Sequence, residues 1–85
     1  MTVALAAHVT TTDVGDALVL LDERNGRYWQ LNGTGATVLR LTLHGSSPDE
    51  IASELCGRYP IGSEQAIGDV HTLLTALRDA KLVTA

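Results

Sequence analysis

Apolar and polar positions alternate along the first third of the chain and then change period. "HVTTTDV" (8–14) alternates roughly and is rich in Thr and Val, which favours a strand. Gly15 and Asp16 turn the chain into "ALVLLDE" (17–23), a more apolar strand. "RNG" (24–26) then carries an Asn-Gly hairpin signal ahead of "RYWQL" (27–31), a third strand. From Asn32 the spacing becomes helical. "NGTGATVLRLTLHG" puts Ala36, Leu39 and Leu43 on one face and Val38 and Leu41 on nearly the opposite one. That pattern predicts a helix buried on both sides and ending at Gly45. "SSPDEIASELCGRYP" gives a second helix, with Ser47 as N-cap, Pro48 at the first helical position and Glu50 completing a capping box; Pro60 closes it. A third helix runs from near Ser63 to near Lys81, carrying Ala66, Ile67, Val70, Leu73, Leu74 and Leu77 on one broad apolar arc. The residues ahead of His8 are expected to fray.

Three strands followed by three helices define an α+β domain, a three-stranded antiparallel sheet covered on one face by the helices. Such a sheet cannot close, so it keeps an edge. "RYWQL" is not blunted against pairing: it has no Pro and one basic residue, Arg27. An open edge of this kind can accept an extended peptide. The apolar arc of the third helix has two flanks, one leading to His71, Arg78 and Lys81, the other to Asp69, Ala76 and Ala80. Small residues on the second flank leave room for a guest side chain beside Val70, Leu73 and Leu77. Alternation along the strand sends Trp29 and Leu31 to one face and Tyr28 and Gln30 to the other.

Composition narrows the function classes. At 85 residues the chain is read as a single domain, 1–85, and with no Phe, one Trp and two Tyr its core is aliphatic. Its net charge of -4, with six scattered basic residues, disfavours a partner held by phosphate contacts. Cys56 is the one cysteine, so no internal disulfide forms, which fits a reducing cytoplasm. "MTVALAAHV" lacks the basic start and apolar length of a signal peptide, and no apolar run reaches membrane-spanning length.

No catalytic constellation, metal-ligand spacing or cofactor motif is visible. His8, His44 and His71 are scattered, and Cys56 reads as a small apolar side chain. "GTG" lacks the third glycine of a dinucleotide loop and the Lys of a P-loop. Gly33 and Gly35 instead permit a tight turn and close approach of the first helix to the sheet, with Asn32 or Thr34 capping that helix. DNA binding through the third helix is opposed by Glu64 and Asp69, since no basic residue precedes Arg78 there.

"LDERNGRYWQLNGTGATVLRLTLHGSSPDEIASELCGRYP", followed by "DVHTLLTALRDAKLV", resembles the PqqD-like peptide-recognition domains, also called RiPP recognition elements. The resemblance spans roughly residues 8–84. It rests on Gly26 before an aromatic strand (Tyr28, Trp29) ending in Leu31 and Asn32, then on Gly35, Gly45, the Ser47 to Ile51 helix start, Asp69 with Val70, and the Leu82, Val83 tail.

Such a resemblance implies a winged helix-turn-helix-like fold that binds the leader segment of a ribosomally made precursor as an added antiparallel strand. Carried over by position, the peptide-binding residues are Arg27, Tyr28, Trp29, Gln30 and Leu31 on the strand, and Asp69, Val70, Leu73, Ala76 and Leu77 on the third helix. A short separate chain of this kind is similar to the non-catalytic leader-binding proteins of lasso-peptide pathways, which need no cofactor and present the precursor to a leader protease and then a cyclase. A peptide chaperone for a radical enzyme in a pyrroloquinoline quinone pathway, a winged-helix DNA-binding regulator and a generic interaction module stay open as alternatives. The free edge also leaves room for a weak homodimer of the empty protein.

Overall fold

The structure is a computed structural model that describes residues 3–84. A two-residue strand, β1 (Ala4–Leu5), comes first, followed by β2 (Val9–Val14), β3 (Ala17–Asp22) and β4 (Arg27–Leu31). Three helices follow, α1 (Gly33–Leu43), α2 (Pro48–Arg58) and α3 (Ser63–Asp79), and a last short strand, β5 (Val83–Thr84). The large sheet has the order β2-β3-β4, antiparallel throughout, which leaves β2 and β4 as its two edges.

One expectation is corrected at the start of the chain. Met1 and Thr2 lie outside the described residues, but the rest of the stretch ahead of His8 is tied down: β1 pairs antiparallel with β5, Ala4 opposite Thr84 and Leu5 opposite Val83. Ala6 N–H extends the clasp by donating to the Leu82 carbonyl at 2.9 Å. Ala6, Leu82 and Val83 are buried in the same cluster, so apolar burial holds this short ribbon.

Alternation in β3 sets the sheet's inner face. Leu18, Leu20 and Asp22 are buried, while Leu21 stays exposed. The β3–β4 hairpin differs from a two-residue Asn-Gly turn, because Asp22 opposite Arg27 closes a four-residue loop, 23–26. Gly26 supplies the positive φ of 66° that this loop needs.

The helix that reads as apolar on two sides is a wedge between two clusters. Ala36 and Leu39 of α1 join Leu18, Leu20, Leu77 and Leu82. Val38 faces the other way, to Ile51, Leu55, Ala66, Val70 and Leu74. Buried Thr37 and Thr42 direct their hydroxyls to the carbonyls of Gly33 and Val38 one turn back, so neither is left unpaired. The capping box of α2 forms as expected, Ser47 N–H donating to Glu50 Oε1 at 2.8 Å and Glu50 N–H to Ser47 Oγ at 3.2 Å. The Ser47 backbone donation, with its hydroxyl, holds the Glu50 carboxyl below its ordinary value.

Candidate functional site

β4 presents its free edge beside α3, and the inner-face parity of its side chains decides what a partner would meet. Leu31 and Trp29 lie opposite buried Leu18 and Leu20, whereas Tyr28 lies opposite exposed Leu21. Tyr28 is 73% exposed and Trp29 39%, large values for aromatic side chains. The Arg27 guanidinium stands 5.8 Å from the centre of the Trp29 ring, within cation–π range.

Where β4 ends, the surface opens into a groove of about 420 Å³. It is bordered by Gln30, Leu31 and Asn32 at the end of β4, by Thr34, Gly35 and Val38 of α1, and by Ile61 with Gln65, Asp69 and Leu73 of α3. Gly35 is why α1 can come so close. A Cβ there would lie 3.3 Å from Leu31 Cβ and 3.6 Å from Leu73 Cδ2, so any side chain would crowd the strand against the helix. Asn32, rather than Thr34, caps α1 by accepting from Gly35 N–H at 2.9 Å. Leu73 is half-buried and packs against both core clusters, which fixes the groove floor to the core.

Of the helix residues expected to face a peptide, the structure brings Asp69 and Leu73 to this groove. Ala76 is exposed on the same helix. Val70 and Leu77 are 0% and 3% exposed, each inside a core cluster, and lie beneath the groove surface. The arc of α3 is too broad to be all surface, because α1 and α2 cover its centre. Gln65 and Ile61 line the groove as well, outside the residues expected from the sequence; Gln65 precedes Asp69 by one helical turn and shares its face.

Upstream of β4 sits the one fully buried charged side chain among the described residues, Asp22. Its Oδ1 accepts from the backbone N–H groups of Arg24 and Asn25, both at 3.1 Å, and its Oδ2 accepts from Asn25 Nδ2 at 2.8 Å. Arg27 Nη2 lies 3.4 Å from Oδ2, and His8 Nε2 lies 3.6 Å from Oδ1. Donation from the Asn25 side chain leads in lowering the carboxyl to about 2. Burial opposes it, and the Asn25 N–H, Arg27 and His8 add to it. The carboxylate thus ties the hairpin loop to the first residue of the edge strand. Its signal in the sequence is an acid at the inward parity of Leu18 and Leu20.

A second depression of about 470 Å³ lies between α2 and α3, with half-buried Cys56 and Ile67 in it and Asp49 and Glu64 at its rim. Among the described residues, no group of three or more His, Cys, Asp or Glu side chains could hold a metal ion. No helix among the described residues is long and apolar enough to cross a membrane.

A three-stranded antiparallel sheet followed by three helices, with an open edge leading into an apolar groove, defines the winged-helix-like class of small α+β domains that the sequence resembles. The family model described as coenzyme PQQ synthesis protein D (PqqD) matches residues 17–83, and the chain belongs to that family. Among solved structures it is similar to "Lasso peptide synthetase B1 complexed with the leader peptide", at 30% identity over 100% of both chains, with a TM-score of 0.92. It is also similar to "TbiB1 in Complex with the TbiA(beta) Leader Peptide", at 26% identity over 100% of this chain and 96% of that one, with a TM-score of 0.86. No curated protein matches the sequence significantly.

Proposed function

We propose that this protein is a non-catalytic recognition element that captures the leader segment of a ribosomally made precursor and presents it to processing enzymes. The pathway we favour is lasso-peptide biosynthesis, with a leader protease and then a cyclase as recipients, in the cytoplasm. The observation that carries this reading is the unpaired edge of β4 running straight into the groove floored by Leu31 and Leu73. Both solved structures named above hold leader peptides, which supports a leader as the ligand. Full-length likeness to the lasso peptide synthetase B1 favours that pathway over the pyrroloquinoline quinone pathway that the family description names.

In this reading the leader adds as a strand along Arg27, Tyr28, Trp29, Gln30 and Leu31, mainly through backbone, and antiparallel pairing continues the existing sheet. About four added backbone bonds, at roughly 1 kcal/mol net each, fall at or below the cost of association, about 4–15 kcal/mol. An apolar leader side chain in the groove therefore supplies much of the affinity. Leu73 is its main contact, with Asp69 and Ala76 on the same helix and Val70 and Leu77 supporting the wall from within. Without a leader, the same edge would let two copies pair weakly.

Amide hydrogen exchange tests strand addition directly. On saturation with the leader of a precursor-like reading frame near this gene, alternate amides of β4 should slow by about tenfold or more, while those of β2 stay unchanged. Leader binding with no added protection in β4 would refute the strand mode.

A further inference from the structure

The groove at the end of β4 carries one formal charge. Asp69 lines it together with Gln30, Asn32, Gln65 and apolar Leu31 and Leu73, and no basic residue lines it. Asp69 is exposed and forms no ion pair among the described residues. Asp16, Glu23, Asp49, Glu64 and Asp79 are likewise exposed without an ion pair among the described residues, so what sets Asp69 apart is its place in the groove that borders β4.

We infer that Asp69 is a specificity residue, selecting peptides that carry a cationic side chain next to their apolar anchor. The inference rests on the strand-addition reading above. It also assigns a place to that cation. The groove borders residues 30–35 and not Arg27 to Trp29, so it lies beyond the C-terminal end of β4. A peptide antiparallel to β4 meets that end with its own N-terminal residues. At about 3.4 Å per residue, Arg27 is roughly 14 Å from Leu31, farther than the screening length at physiological salt, so the two ends act independently. The anchor and its cation thus belong at the N-terminal end of the paired segment, followed by residues that add only backbone bonds. The protein's net charge of -4 favours such a ligand at longer range.

The test uses random peptides of about twelve residues, long enough to cover β4 and the groove, displayed on phage and selected against three proteins: native, Asp69→Asn and Asp69→Lys. Asp69 is exposed, so both variants should fold, with circular dichroism as the check. Binders to the native protein should show Lys or Arg enriched over Asp or Glu, by about threefold or more, on the N-terminal side of a large apolar residue. Asp69→Asn should abolish the bias, and Asp69→Lys should reverse it. Titration of one selected peptide, followed by the fluorescence of the single Trp29, should show the corresponding loss when its cation becomes Gln. Anchor-bearing peptides without a charge bias, or a bias that survives Asp69→Asn, would overturn the inference and leave strand addition standing. A bias on the C-terminal side of the anchor would overturn the assigned place of the cation. Selection of no apolar anchor at all would overturn the strand-and-groove reading and the inference with it.

Discussion

β2 and β4 flank the same central strand, yet they meet different surroundings. β2 is Thr-rich and exposed from Thr10 to Val14, and its Asp13 pairs with Arg40 of α1. Neither of the two grooves described above reaches it. β4 has the same open backbone but ends on Leu31, where Gly35 admits α1 close enough to leave a cleft against Leu73. An edge alone offers backbone bonds that water can replace; an edge with an apolar cleft offers burial as well. The second term is what favours β4 over β2 as the proposed site.

Leu73→Asp is the variant expected to break this difference most completely. Leu73 touches both core clusters and floors the groove, so a carboxylate there removes the apolar anchor point and costs about 2–3 kcal/mol of stability. Leader affinity should fall by about a hundredfold, while Leu73→Met, which keeps volume and apolarity, should bind nearly as well as the native protein. Titration by Trp29 fluorescence, with urea unfolding as the stability control, measures both. Undiminished binding by a folded Leu73→Asp protein would mean that β4 needs no groove and that the two edges differ for another reason.

The Asp22 knot sharpens the comparison, because Asp22 faces Val9 of β2 on one side and Arg27 of β4 on the other. Its bonds are unequally shared: Asn25 and Arg27 lie on the β4 side, and only His8 on the β2 side. Asp22→Asn should lower the thermal midpoint by several degrees and raise amide exchange in β4 more than in β2. The pH dependence has a definite sign. The folded carboxyl is lowered to about 2 from 3.8, so the stability it confers is fully present above about pH 4 and disappears as pH falls through about 2. The native protein should lose stability across that window more steeply than Asp22→Asn. Parallel curves would show that Asp22 is not the group responsible.

How much of this could be read from the sequence depends on the range of the signal. The strands, the two-sided α1 and the Ser47 capping box rest on periods and spacings of a few residues, and they formed where those spacings placed them. The β1–β5 clasp joins residues at opposite ends of the chain through two pairs, too short to carry a period. Val70 and Leu77 were placed on the binding flank because a helical wheel gives the width of an apolar arc but not which part of it α1 and α2 cover. Asp69 and Leu73 differ from them by a fraction of a turn, and only packing separates floor from core. Asp22 lies inside the strand expected over 17–23, where its inward parity with Leu18 and Leu20 is the signal of its burial.

The smallest expected effects come from the row in which the two edges can be compared at one level of the sheet. Thr12 and Gln30 both lie opposite Val19, one on β2 and the other on β4. Lys on an exposed edge is a common guard against strand pairing. Thr12→Lys should leave leader affinity within about twofold and stability within about 0.5 kcal/mol, as for exposed positions with no partner. Gln30→Lys makes the same chemical change on the strand that borders the groove. It should weaken leader binding by about threefold to tenfold with as little effect on stability, because its ammonium competes with the peptide for the groove mouth beside Asp69. Equal losses for the two variants would point to an effect of net charge at long range, and raised salt would then erase both losses together. A loss confined to Gln30→Lys keeps the leader on β4 and leaves the β2 edge, which is just as open, without a ligand.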